Sequence, residues 1–207
     1  MQLFSMTYNT IQPIENIIIK EKKSKFIGFA YPIESETEVK ERIKIIKKEH
    51  PKATHHCYAY KLGLDENNFR ANDDGEPTGT AGKPILNQIN SFNITNCLVI
   101  IVRYFGGTKL GVSGLIDAYK NCAKETLSST EIIVREIRNV IYFEADFELS
   151  NLIFDFLNKH KIEYQKEFTE IKVAFSVYSS DEQTAVLLEF LNKNAVIYQP
   201  ISTFRKY

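Results

Sequence analysis

Cys97-Leu98-Val99-Ile100-Ile101-Val102-Arg103-Tyr104 runs directly into Phe105-Gly106-Gly107-Thr108-Lys109-Leu110-Gly111-Val112-Ser113-Gly114. The first eight residues have the apolar, β-branched character of a central strand covered on both faces. The chain then turns through Gly106-Gly107 and opens a helix near Gly111 or Val112, with Leu115, Tyr119, Cys122 and Thr126 along one stripe. N–H groups at that helix start point to a common spot with Lys109 close by. Two readings are open: an anion site, or a tight turn in which the glycines serve only the backbone. The spacing is not G-x-G-x-x-G, so no dinucleotide is indicated.

A second glycine loop lies upstream, Asp73-Asp74-Gly75-Glu76-Pro77-Thr78-Gly79-Thr80-Ala81-Gly82-Lys83-Pro84. The two loops hold seven of the nine glycines, and none follows Gly114. Such clustering costs backbone entropy unless special conformations or a close approach are needed. The ending Gly82-Lys83 resembles a phosphate loop, but Pro77 and Pro84 stand where that motif needs Gly and Ser or Thr. Asp73, Asp74 and Glu76 are too few oxygen donors for a hard cation, which takes about six, so no metal and no cofactor is assigned. Both loops follow strands of one sheet and are expected to converge on one groove. In that arrangement Lys83 and Arg103 line opposite walls, and Asp74 or Glu76 holds Arg103.

The rest of the first half alternates strands and helices. Ile17-Ile18-Ile19 and Phe26–Tyr31 read as strands around the polar turn Lys20–Lys25. The capping box Ser35-Glu36-Thr37-Glu38 starts a helix that Pro51 stops. Cys57–Lys61 is a strand, Gly63–Asn72 a polar excursion, and Pro84–Asn90 a short helix. Toward the carboxy terminus, Ile141, Phe143, Ala145 and Phe147 alternate as a strand, and Leu149, Leu152, Ile153, Phe156 and Leu157 have helical spacing. Ile162–Phe168 and Ile171–Tyr178 pair as a hairpin. Ser180-Asp181-Glu182-Gln183 caps a helix with Val186, Leu187, Phe190 and Leu191 inward, and Ala195–Phe204 closes as an edge strand through Pro200. The order βαββαβ is that of a ferredoxin-like domain. The fold class expected is α+β in two domains, residues 1–134 and 135–207.

Charge and cysteine usage narrow the function. Net charge is zero. Residues 1–127 carry 17 Lys and Arg against 14 Asp and Glu, and residues 128–207 carry 9 against 12. The first half therefore suits an anionic ligand mildly, and the second does not grip phosphate backbone alone. Cys57, Cys97 and Cys122 form no C-x-x-C pair and read as buried free thiols of a reducing compartment. His55 and Cys57 share a strand face but lack partners at zinc spacing. Met1–Met6 lacks the basic start and apolar core of a signal peptide, and Leu98–Val102 is far short of the roughly 20 residues a membrane helix needs. The expectation is a cytoplasmic protein without a membrane partner.

At the two glycine loops the chain closely resembles the IMPACT/YigZ family, with Lys23-Ser24-Lys25-Phe26 and His56-Cys57-Tyr58-Ala59-Tyr60 as supporting matches. The resemblance spans nearly the whole chain. It implies an amino-terminal βαβ-type domain like domain IV of elongation factor G, and a ferredoxin-like domain like the last domain of that factor. The family is regarded as translation-related, its eukaryotic members restraining an amino-acid-starvation kinase pathway. That pathway role is not carried over, since the separate partner-binding domain of eukaryotic members has no counterpart here. Val112-Ser113 also stands where the family often has Thr-Gly.

The site the resemblance implies is Asp73, Asp74, Glu76, Thr78, Thr80, Lys83, Arg103, Tyr104 and Lys109. The function expected is a non-catalytic binding protein engaging RNA or a ribosome-associated protein. Lys83, Arg103 and Lys109 meet phosphate, and Tyr104 or Phe105 offers a stacking face. The alternatives are an enzyme acting on a phosphorylated or nucleotide-like small ligand, and a protein–protein adaptor.

Overall fold

The computed structural model describes residues 7–63 and 67–199 and the backbone of 202–205. The chain divides into two compact bodies, Tyr8–Val134 and, with Thr7, Arg135 onward. Among the described residues the fold is mixed α+β, with five helices and two five-stranded sheets.

The first body holds β1 (Thr7–Ile11) from Tyr8 on, β2 (Ile14–Glu21), β3 (Ser24–Pro32), α1 (Glu36–Glu49), β4 (His55–Lys61), β5 (Phe69–Asn72), α2 (Gly82–Ser91), β6 (Cys97–Tyr104) and α3 (Gly111–Ser128). Its sheet has the order β2-β3-β6-β4-β5. The apolar run 97–104 is therefore the middle strand, antiparallel to both neighbours. Strand alternation sorts its residues. Leu98, Ile100 and Val102 join Phe29, Val39 and Ile46 of β3 and α1 on one face. Val99 and Ile101 join Phe26, Ile85, Ile89, Tyr119 and Cys122 on the face of α2 and α3. Each such fully buried aliphatic side chain contributes about 1.5–3 kcal/mol. At Gly28 a Cβ would lie 1.9 Å from Thr126 Oγ1, so glycine is what lets α3 sit close on β3.

Local signals placed most ends. Ser35 Oγ accepts from Glu38 N–H at 3.3 Å, and α1 ends at Glu49, two residues before Pro51. The Glu38 carboxylate accepts from Glu34 N–H, one residue upstream of the expected capping-box partner. The turn expected over Lys20–Lys25 is confined to Lys22-Lys23, both at positive φ. The excursion expected over Gly63–Asn72 is corrected over its second part. Phe69–Asn72 is strand β5, an exposed edge held by its ladder to β4, which needs no apolar alternation. Residues 64–66 of that stretch lie outside the described residues.

The remaining elements are β7 (Ile132–Ala145), α4 (Phe147–Lys159), β8 (Glu163–Phe168), β9 (Val173–Ser179), α5 (Asp181–Lys193) and β10 (Ser202–Arg205). β7 is bonded to β1, β9 and β10, and β9 to β8, which makes the second five-stranded sheet; the β7–β9, β7–β10 and β8–β9 pairs are antiparallel. Val173, Phe175 and Val177 pack on Ile153, Leu157, Leu187 and Leu191 of the two helices. Both expected bonds of the Ser180–Gln183 capping box form.

Four expectations are corrected here. Phe147 opens α4, because the Asp146 carboxylate caps that helix on Leu149 N–H and ends the alternation. Ile171 is 73% exposed and precedes β9. Thr184 rather than Val186 faces the core of α5. The closing strand is a lone bridge at Tyr198 and then β10, with Pro200 outside the described residues.

Candidate functional site: a groove between the two glycine loops

The first loop spends its acids on its own backbone and on its neighbours. Asp73 Oδ1 accepts from Ala81 and Gly82 N–H, both at 2.9 Å, and Oδ2 from Gly79 N–H at 2.8 Å. The start of α2, which has no side-chain cap at Ala81, is thus filled by Asp73. Asp74 accepts from Lys47 Nζ at 2.9 Å and from His56 N–H at 2.7 Å. Burial pushes its carboxyl up, but the Lys47 ammonium and the His56 N–H outweigh this and hold it below the usual range. Thr80 Oγ1 donates to Pro77 O at 2.7 Å, and Thr78 is exposed.

Glu76 turns inward and is 8% exposed. Its Oε1 accepts from Arg103 Nη1 at 2.6 Å and from the Tyr119 hydroxyl at 2.9 Å. Behind it, Cys57 Sγ lies 3.0 Å from Asp73 O and 3.3 Å from Tyr119 Oη. Burial pushes both the Cys57 thiol and the Tyr119 hydroxyl up, so both keep their protons at neutral pH. Cys57 is thus held as a buried thiol.

The second loop is built differently. Arg103 and Tyr104 are consecutive in β6 and point to opposite faces. Arg103 goes to the α2/α3 face, toward Glu76. Tyr104 goes to the α1 face, where its hydroxyl lies 2.9 Å from His50 Nδ1. Phe105 N–H donates to Thr54 Oγ1 and Gly106 N–H to Ser24 Oγ, both at 3.2 Å. Gly106 must be glycine because a Cβ would lie 2.0 Å from the Lys23 backbone. Gly107 and Gly111 take positive φ facing open space. The α3 start has no side-chain cap, and Gly111–Ser113 are exposed.

Arg103 is the residue both loops share. Its side chain is 6% exposed and sits between the Phe26 and Phe105 rings, 5.5 Å from each centroid. Nη1 serves Glu76 and Nη2 reaches Ser24 Oγ at 3.4 Å, while Nε is buried without a partner among the described residues.

Between the loops lies a groove of about 430 Å3. Glu76 and Pro77 of the first loop form one side, Arg103, Phe105 and Lys109 of the second another. The start of α3 (Gly111, Val112, Leu115) and the Thr54-His55 corner where β4 begins close it. The structure thus brings Glu76, Arg103 and Lys109 together. Asp73, Asp74, Thr80 and Tyr104 are bonded elsewhere, and Thr78 does not line the groove. Lys83 stands exposed on α2 and does not form the wall expected opposite Arg103.

Sequence reasoning missed Thr54, Ser24 and Tyr119. Only the alternation of β4 flagged His55, whose Nδ1 lies 2.8 Å from Asp74 O and whose Nε2 lies 3.7 Å from Glu76 Oε1. A carbonyl only accepts, so Nδ1 carries the proton and Nε2 is the acceptor when the ring is neutral. Among the described residues no cluster of three or more His, Cys, Asp or Glu side chains is placed to hold a metal ion, and no helix is long and apolar enough to cross a membrane.

Comparison with known proteins gives the chain relatives. A crystal structure of an hypothetical protein superposes with a TM-score of 0.75 at 24% identity, covering 97% of this chain and 99% of that one, which shows the fold alone. The IMPACT family member YigZ of Escherichia coli is 36% identical over 113 residues, 54% of this chain and 55% of the relative. The IMPACT family member YvyE of Bacillus subtilis is 32% identical over 187 residues, 90% of this chain and 86% of the relative. The Impact N-terminal domain matches residues 22–127, a span that contains β3 through most of α3 and both glycine loops. The chain belongs to the IMPACT family.

Proposed function

We propose that this chain is a translation-related, non-catalytic binding protein whose first body takes a phosphate-bearing partner, RNA, in the groove between the glycine loops. The observation that carries this reading is the contrast at the helix starts. Asp73 fills the N–H groups that open α2, whereas those that open α3 are uncapped beside Lys109 and the partly unpaired Arg103. Phe105, 47% exposed at the same groove, offers a ring to stack on. Cys57 and Tyr119, both kept protonated behind Glu76, supply no nucleophile.

The same reading includes the finer fold assignments. The first body is similar to domain IV of elongation factor G. The second is ferredoxin-like, supported by a β7-α4-β8-β9-α5-β10 order in which β9 separates β7 from β8. The setting is cytoplasmic, among ribosome-associated factors.

Titration of the intact chain with structured RNA and with ribosomes tests the reading. Binding that weakens as salt rises is expected, and absent or salt-independent binding to both overturns it. The volume of the groove favours one second reading, an enzyme acting on a phosphorylated small ligand, with His55 Nε2 as the base on the groove wall. Turnover of a phosphorylated compound that His55→Gln abolishes would replace the binding-protein reading with that one.

A further inference from the structure

The geometry points to a ligand one nucleotide long: a phosphate monoester carrying a planar ring, its phosphate at the start of α3 and its ring against Phe105. This deepens the proposed function and rests on it, since it names what the same groove recognises.

Charge sets the length. Of the groove residues, Arg103 and Lys109 are cationic and Glu76 is anionic. Arg103 is held by Glu76 at 2.6 Å, which leaves about one net positive charge. The α3 terminus adds roughly half a charge. That matches a single phosphate group. A run of phosphates needs a basic stripe, and residues 1–127 carry 17 cationic against 14 anionic side chains. Volume agrees, because about 430 Å3 belongs with pockets for single small molecules, about 300–1,000 Å3, rather than with a channel that tracks a strand.

The helix start does not carry this alone. Arg103 lines the groove, its side chain is 94% buried, and its Nε donor has no partner among the described residues. A guanidinium keeps its charge at any working pH, and on the groove wall it is suited to an oxyanion. The remaining wall is apolar: Pro77, Phe105, Val112 and Leu115. Phe105 and Val112 are 47% and 60% exposed, which is what a ring would cover. The groove thus has a polar end for one anion and an apolar end for one ring. The same chemistry occurs in a free mononucleotide and at the 5′-phosphorylated end of an RNA chain.

The test is calorimetric titration of the intact chain with adenosine 5′-monophosphate, adenosine, inorganic phosphate, and a short single-stranded RNA carrying either a 5′-phosphate or a 5′-hydroxyl. The monophosphate is expected to bind at least about tenfold more tightly than adenosine or phosphate, a difference of about 1.4 kcal/mol. The 5′-phosphorylated RNA should compete with it and the 5′-hydroxyl RNA should not. The salt slope should be about −0.7, the value for one phosphate contact on a single strand. Competition by the monophosphate alone identifies the free nucleotide as the source and removes the RNA from the proposed function.

RNA binding indifferent to its 5′ end, with a slope of several phosphates, overturns the inference while the RNA-binding reading survives. Inorganic phosphate binding as well as the monophosphate also overturns it. Two exposed positions provide variants. Val112→Asp places a carboxylate in the first turn of α3 and should abolish monophosphate binding without lowering Tm. Phe105→Ala should weaken monophosphate binding about tenfold and leave that of inorganic phosphate unchanged. Full monophosphate affinity in Val112→Asp overturns the assignment.

Discussion

The two glycine loops look alike in sequence and lead into helix starts that are bonded differently. Residues 73–84 fold onto themselves: Asp73 occupies the N–H groups that open α2, Asp74 ties the loop to Lys47 and His56, and Glu76 reaches Arg103 and Tyr119. Residues 103–114 keep their helix start uncapped at Leu110 and exposed. Glycine content therefore does not distinguish a loop that closes on itself from one that stays open. What distinguishes them is whether a side chain of the chain itself already answers the N–H groups.

That contrast predicts that loss of a carboxylate in the first loop acts on stability and that loss of a groove-facing side chain in the second acts on binding. Glu76→Ala should break the comparison most severely. It leaves Arg103 buried without a counter-charge and the Tyr119 hydroxyl without its acceptor, which should cost about 3–5 kcal/mol in urea unfolding. A loss under 1 kcal/mol would mean that the ion pair is dispensable and that Glu76 is free to serve a ligand. Asp73→Ala strips three backbone N–H groups of their acceptor and should cost about 2–3 kcal/mol, with Asp73→Asn recovering part of it.

A paired substitution in the second loop sharpens the point. Gly106→Ala drives a Cβ into the Lys23 backbone, which cannot step aside, and should cost about 1–3 kcal/mol. Gly107→Ala meets open space and should cost only about 1 kcal/mol, from its φ of +83°. Equal losses at the two positions would show that close approach to the β2–β3 turn is not what requires Gly106.

Acid should weaken the first loop's attachments. Burial lowers His56, so the fold prefers the neutral ring. The stability this gives is complete above the ordinary histidine value of about 6.5 and falls as pH drops below it. Asp74, held low by Lys47 and the His56 N–H against the opposing effect of burial, contributes stability that is present above the ordinary carboxylate range. It is lost as pH falls through the lowered value. Urea midpoints measured from pH 8 to pH 3 should therefore fall in two stages, and Asp74→Asn should remove the lower one. The smallest effect on stability is expected from Lys83→Glu and Lys109→Glu, each within about 0.5 kcal/mol of the parent because both side chains are exposed. Only the Lys109 change should reduce monophosphate affinity, and a matching loss in Lys83→Glu would return α2 to the site.

Local patterns made the elements of this fold legible. The 97–104 run, the capping boxes at Ser35 and Ser180, and the alternation of Val173, Phe175 and Val177 act over a few residues, so their reading survives without tertiary information. The errors fell where local signals are weak. β5 has no apolar alternation because only its backbone is held, and Phe147 continues a strand pattern that the Asp146 cap interrupts. The site was legible in part. Strand parity alone would have sent Tyr104 away from Arg103, since consecutive residues of β6 face opposite sides. No spacing rule would have found Tyr119, which holds Glu76 from 43 positions away, or Thr54, a groove residue 51 positions from Phe105.

The sequence by itself determined that two glycine-rich turns lead into helices, and that the apolar run 97–104, which carries the second of them, is the middle strand. Those properties follow from φ/ψ freedom and hydrophobic period, which each residue brings with it. Only the tertiary structure decided which of the two turns stays open. That outcome depends on carboxylates meeting N–H groups of the same loop and an arginine and a lysine of distant segments. Among them are Asp73 with the start of α2, Glu76 with Arg103, and Asp74 with Lys47. Hydrogen bonds and ion pairs of that kind are set by distance in space, which the order of residues along the chain does not contain.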